Sequence, residues 1–140
     1  MTFDFNKEGK VKMTMERFVQ DLIEGCGDMP GTATTPARPN LFITPAESDS
    51  YLPDNLRERF HSITTKPLYL SKRTRPDILT AVASLTKRVL KPQRDDYDKL
   101  TRTIQYSTVW GTQHMGITFK CLNLSMLLHT SMHPLPYIPI

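Results

Sequence analysis

The sequence predicts a small α+β domain, mainly helical, in the order β-hairpin, helix, long Pro-rich loop, three helices and a short strand. Three observations carry that prediction. Residues 1–13 alternate apolar and polar side chains about a turn. Four later stretches repeat apolar residues at helical spacing. Between the first and second of these, Pro30, Pro36, Pro39, Pro45 and Pro53 deny residues 26–53 any regular element. The chain therefore divides into 1–25, a hairpin and helix; 26–53, an irregular loop; 54–120, a basic helical segment; and 121–140, a tail without convincing period that is expected to be poorly ordered.

In the hairpin, Phe3 and Phe5 alternate with Thr2 and Asp4, and Val11 and Met13 with Lys10 and Lys12. Asn6 to Gly9 supplies the turn. A lone hairpin is marginal in water, so its apolar face must pack on something. Thr14 is the candidate N-cap of the first helix, whose stripe is Phe18, Val19, Leu22 and Ile23, and Gly25 and Gly27 end it. The loop is too long to sit structureless inside a compact domain, so it should lie extended across a surface.

The second helix spans 56–73, with Leu56, Phe60, Ile63, Leu68 and Tyr69 or Leu70 inward. Pro67 should kink or split it, at a cost of about 3 kcal/mol if unrelieved. The third begins at Pro76, with Ile78, Val82, Leu85 and Val89 inward, Thr74 and Asp77 as a capping pair, and Pro92 as its stop. The fourth, 95–107, opens on Asp95, Asp96 and Asp98 and buries Tyr97, Leu100 and Ile104; the strand is expected within 115–121.

One domain of 140 residues holds a single modest core. No run reaches the ~18 apolar residues of a membrane span. Cys26 and Cys121 are too few for a disulfide scaffold, which points to a reduced, intracellular protein. The net charge of +4 is uneven. Residues 1–56 carry 5 Lys/Arg against 9 Asp/Glu, and residues 57–102 carry 12 against 5.

Catalytic chemistry finds little support. His129 and His133, with Cys121, fall one ligand short of a structural zinc site. Asp95 and Asp96 open an exposed helix, where capping accounts for them without a two-metal cavity. No nucleophile elbow or Gly-rich phosphate loop is present, and Cys26 lies between glycines with no His nearby in sequence. What remains is binding. Arg57, Arg59, Lys66, Lys72, Arg73, Arg75, Lys87 and Arg88 fall on two successive helices and their bend, with the aromatic Tyr69 alongside. Lys72, Arg73 and Arg75 crowd the expected start of the third helix, the dipole end that disfavours cations, as an anionic partner would explain. A solvated helix surface explains the same charges without a partner.

The run FHSITTKPLYLSKRTRPDILTAVASLTKRVLKP, followed by DDYDKLTRTIQY, resembles the segment after the polymerase motifs of copia-type retrotransposon polyproteins. The matching positions are Tyr69-Leu70, Arg75-Pro76-Asp77-Ile78, Val82, Leu85, Pro92 and Arg102 to Tyr106. The opening hairpin and helix, Thr35-Pro36 and GTQHMGITF are similar to further family features, so the resemblance covers residues 1 to about 120. It implies a reverse-transcriptase segment after the palm: a primer-gripping hairpin, then thumb and connection helices leading toward RNase H.

The resemblance further implies an RNA/DNA template–primer duplex as partner, together with the palm and RNase H domains of the parent, and no membrane. The duplex-facing residues would be Lys72, Arg73, Arg75, Arg57, Arg59, Lys87 and Arg88. The parent's Mg would sit on its Tyr-x-Asp-Asp motif, which would precede Met1, so no cofactor is expected in this chain. The parent reaction is RNA-directed DNA synthesis, and this chain alone should not perform it. The location would be a cytoplasmic particle or the nucleus.

Departures are as informative. Pro67 replaces an apolar helix former, Ser107-Thr108-Val109-Trp110 stand where a Leu and a short turn belong, and residues 121–140 carry no carboxylate where RNase H needs an aspartate. A frameshift or early stop would produce such a tail. The alternatives are a stand-alone basic nucleic-acid-binding module and a non-functional relic. Phe3, Phe5, Leu56 and Phe60, expected to lie exposed for want of partner domains, favour the relic over the module.

Overall fold

In the computed structural model, described for residues 1–5, 9–27, 29–46, 51–109 and 114–120, the chain is an α+β domain, mainly α. Strands β1 (Thr2–Phe5), β2 (Lys10–Thr14) and β3 (Ile117–Lys120) form an antiparallel sheet in the order β1-β2-β3. Helices α1 (Glu16–Cys26), α2 (Asp54–Ser71), α3 (Leu79–Thr86) and α4 (Arg94–Thr108) form the body, with a 3₁₀ turn at Pro76–Ile78 between α2 and α3. The expectations for the tail and for its two histidines lie outside the described residues.

The core is assembled from the stripes legible in the sequence. Val19 and Leu22 of α1, Phe60, Ile63 and Leu70 of α2, Ile78 in the 3₁₀ turn, Val82 and Leu85 of α3, and Leu100 and Ile104 of α4 are all buried together. Between the two candidates at the end of α2, Leu70 turns inward and Tyr69 outward. Phe60, which an orphaned fragment would expose, is fully buried against α4, its ring 6.4 Å from Tyr97. Leu56 is partly covered, whereas Phe3 and Phe5 do lie exposed.

Four local expectations are corrected. The α1 N-cap is Met15, with no side-chain cap, because Thr14 closes β2 instead. Pro67 neither kinks α2 into two elements nor lies at its surface; it is buried inside a continuous helix. Apolar burial at Ile63, Pro67 and Leu70 offsets the hydrogen bond that Pro67 cannot donate. The third helix is shorter than expected, ending at Thr86, so Leu90 lies outside it and exposed. Asp77 does not cap it with Thr74, since its carboxylate is taken by Arg75.

The Pro-rich loop lies along α4, as its length requires. Thr103 Oγ1 donates to the Pro36 carbonyl (3.0 Å), Arg102 to Thr35 Oγ1 (2.9 Å), Gln105 to the Pro30 carbonyl (2.6 Å) and Lys99 to the Ile43 carbonyl (2.8 Å). Proline carbonyls are free acceptors, and an extended loop offers them to a polar helix face.

Where β3 enters the sheet, a Cβ on Gly116 would collide with the Met13 carbonyl oxygen and crowd Thr14 Cγ2 at 2.8 Å. The obstacle is backbone and cannot swing aside. Gly116→Ala is therefore expected to detach β3 from β2, read as loss of slow amide exchange at Val11 and Met13, with the helical circular dichroism unchanged.

Candidate nucleic-acid interface

The basic collar sits at the opposite pole from the one expected. Lys72 is the C-cap of α2, and Arg73 follows it, so both crown the negative end of a helix dipole. Their positions need no anion to explain them. The backbone N–H groups of Arg73, Thr74 and Arg75 all donate to the Leu70 carbonyl (3.0–3.2 Å), a tight wrap that sends successive side chains in different directions.

Arg73 is thrown outward, its guanidinium carbon 4.3 Å over the Tyr69 ring. Tyr69 is 45% exposed and leans on Phe18 of α1, with ring centroids 5.3 Å apart. Lys72, the C-cap three residues after Tyr69, is exposed. The result is a platform of one aromatic ring, one stacked guanidinium and one ammonium, a composition that suits backbone phosphates together with a base or sugar.

Arg75 is thrown inward and is 0% exposed. Its Nε donates to Asp77 Oδ1 (2.9 Å) and Nη2 to Oδ2 (2.8 Å), a bidentate pair. The Tyr106 ring lies 5.6 Å from its guanidinium carbon, and the Tyr106 hydroxyl also bonds the carboxylate. Burial alone would raise the Asp77 carboxyl, but the Arg75 hydrogen bonds and charge more than reverse this and hold it below its ordinary value. Burial and the Asp77 charge push the Tyr106 phenol up. Arg75 is thus an internal clamp, and its place on the duplex-facing surface is corrected.

The other cations disperse. Arg59 donates to the Cys26 carbonyl (2.8 Å), neutralising the C-terminal end of α1, where Lys66 also lies near Gly25. Arg57 pairs with Asp54 at 3.2 Å, near the far end of α2, where Val89 and Leu90 share a small hollow with it. Sixteen residues of helix put that end roughly 24 Å from Arg73, too far for one shared patch. Arg88 pairs with Asp96 at 3.3 Å, and Lys87 caps the end of α3. Of the seven expected residues, only Lys72 and Arg73 share a platform.

Asp96 is not exposed as the sequence suggested. It is buried, accepts the Gln93 backbone N–H (2.8 Å) and faces Arg88. Asp95 is held by Lys99 at 2.6 Å. Carboxylates already neutralised by cations do not fit a two-metal site. Among the described residues, no three His, Cys, Asp or Glu converge as metal ligands. Burial pushes the Cys26 thiol up despite the Lys66 and Arg59 charges, the wrong direction for a nucleophile. No helix among the described residues is long and apolar enough to cross a membrane.

Two features escaped sequence reasoning. Phe18 supports Tyr69 from another element, a pairing that spans fifty residues and leaves no local signal. A groove of about 480 Å³ opens between the loop at Leu41–Thr44, α3 and the start of α4, and only tertiary packing creates it. Comparison with protein-family models, curated proteins and solved structures finds no match.

Proposed function

We propose that the chain is the template–primer handling segment of a copia-type reverse transcriptase, lying after the palm and without catalytic residues, and that it holds nucleic-acid duplex inside the cell, in a cytoplasmic particle or the nucleus. The observation that carries the binding role is the platform of Tyr69, Lys72 and Arg73 at the end of α2. The lineage draws support from how the residues behind the resemblance meet one another. Arg75 and Asp77 of the Arg-Pro-Asp stretch close on Tyr106, and Arg102, which opens the Arg-x-x-x-Tyr stretch, reaches Thr35 of the Thr-Pro pair. The closed core, with Phe60 at 0% exposure, favours the second reading, a stand-alone binding module, over a relic.

The test is duplex binding against salt for the full chain and for Lys72→Ala/Arg73→Ala. Arg75 must be left in place, because it is buried against Asp77 and its removal would perturb the interior rather than the interface. Each phosphate that is no longer neutralised should flatten the salt slope by roughly 0.9 on duplex DNA, so the double variant should flatten it by about 1.8. An unchanged affinity and slope would remove the platform from the interface.

A further inference from the structure

Residues 35–38 of the loop along α4 read Thr-Pro-Ala-Arg, and Thr35 and Arg38 are both exposed. Proline-directed protein kinases act on a Thr or Ser followed by Pro, most readily with a cation two positions past the Pro. The same dipeptide recurs at Thr44-Pro45, but there Glu47 stands in the place of Arg38.

Opposite Thr35, α4 carries a donor with nothing to donate to. Arg102 Nη2 donates to Thr35 Oγ1 (2.9 Å), while Arg102 Nε, on the same edge of the guanidinium, is buried and has no hydrogen-bond partner. A buried donor left unmade is costly, the more so on a charged group. Arg75 shows what that edge holds when it is filled: its Nε and Nη2 grip the two carboxylate oxygens of Asp77. The Thr35 hydroxyl offers a single oxygen, so half of the Arg102 fork is idle. A phosphate on that hydroxyl would add three strong acceptor oxygens and a charge of about −2.

We propose that Thr35 is a phosphorylation site for a proline-directed kinase, and that the Arg102 fork clamps the phosphate and so fastens the loop to α4. In the transfer Thr35 Oγ1 bonds to the γ-phosphorus of a nucleoside triphosphate, the bond to the β-phosphate oxygen breaks, and the nucleoside diphosphate leaves. The hydroxyl proton, which Thr35 donates to the Ala37 carbonyl (3.0 Å), goes to the base of the kinase.

The surroundings suit a dianion. Arg38, Lys99 and Arg102 line a polar hollow on this seam together with Asp95 and Asp98. Lys99 already neutralises Asp95, which leaves Arg38 and Arg102 against Asp98. Single hydrogen bonds from Lys99, Arg102, Thr103 and Gln105 hold the loop, contacts that local opening can release to a kinase. Phosphate turns one of them into a charge-assisted pair. The inference stands apart from duplex binding, since Thr35 and Arg102 take no part in the platform of Tyr69, Lys72 and Arg73.

To test the site, the folded full chain is incubated with a purified kinase of the cyclin-dependent class and γ-labelled ATP, and the product is mapped by mass spectrometry. Thr35 should take up label several-fold faster than Thr44, and Arg38→Ala should remove that preference. Equal labelling of the two threonines, or no label on the folded chain, would overturn the proposal. Phosphorus NMR reads the clamp separately. Phosphorylated Thr35 should lose its last proton about one pH unit lower than in phosphorylated Arg102→Gln, because an adjacent guanidinium favours the dianion. Urea supplies a second comparison without any substitution, and unfolding the phosphorylated chain should raise the titration in the same way. An unchanged titration in either comparison would overturn the clamp.

Discussion

Asp77→Ala is expected to destabilise the fold by about 3 kcal/mol, toward the lower end of what removing one partner of a buried ion pair costs. The cost comes from what is left behind. Arg75 would keep its charge at zero exposure with both hydrogen bonds of the bidentate pair gone. Urea unfolding of the full chain measures the loss, and the double variant Arg75→Met/Asp77→Ala separates its causes. If the stranded charge is responsible, the double variant recovers much of the stability, because an apolar side chain of similar reach fills the site without desolvation cost. If poorer packing is responsible, it recovers none.

The same clamp sets the pH limits. Asp77 titrates below its ordinary value in the folded state, so its stabilisation is present above the unfolded carboxyl range and is lost as pH falls through the lower folded value, below about pH 4. Tyr106 titrates above its ordinary value, so its contribution is present below about pH 10 and is lost as pH rises through the higher folded value. Asp77→Ala should flatten the acid limb of the stability profile.

Why Arg75 was legible as a cation yet misread as a surface one has a physical reason. Sequence patterning treats a charge as solvated by default, since a buried one survives only with a partner. Half the partnership was visible, because Asp77 stands two residues away; the other half, Tyr106, comes from α4 and belongs to no local pattern. The polarity of the collar failed for a related reason. Sequence patterning runs the second helix to residue 73, yet weighs Lys72 and Arg73 against the dipole of the helix that follows. The structure ends α2 at Ser71 with Lys72 as its C-cap, so the nearer dipole end, of opposite sign, is the one they feel.

The helical stripes fared better because they are redundant. Val19, Leu22, Phe60, Ile63, Val82, Leu85, Leu100 and Ile104 each repeat at three or four residues, and each is buried as expected. The hairpin was equally legible, its alternation matching the observed register from Thr2 opposite Thr14 to Phe5 opposite Val11. The exposure of Phe3 and Phe5 on its apolar face was not legible, because alternation fixes which side chains share a face and says nothing of what meets them.

The middle of the helical body supplies the other large expected effect. Phe60→Ala should cost about 3–5 kcal/mol, the range for deleting a buried aromatic ring. The site has little room to collapse. Phe60 is fully buried on an 18-residue helix, faces Tyr97 of α4 at 6.4 Å between ring centroids, and shares its cluster with Leu22, Val82 and Leu100 from the other three helices. A small domain holds about 5–15 kcal/mol in total, so the variant should lose much of its cooperative unfolding transition at 25 °C. Leu90→Ala is the matched control, an apolar truncation at a site 81% exposed, where the midpoint should hardly move. The contrast bears directly on whether this chain is a folding unit. A large loss at Phe60 with none at Leu90 requires a specifically packed core, as a binding module has. Equal, small effects at both sites would mean that the helices only cluster loosely, as in a relic whose stabilising partners are gone.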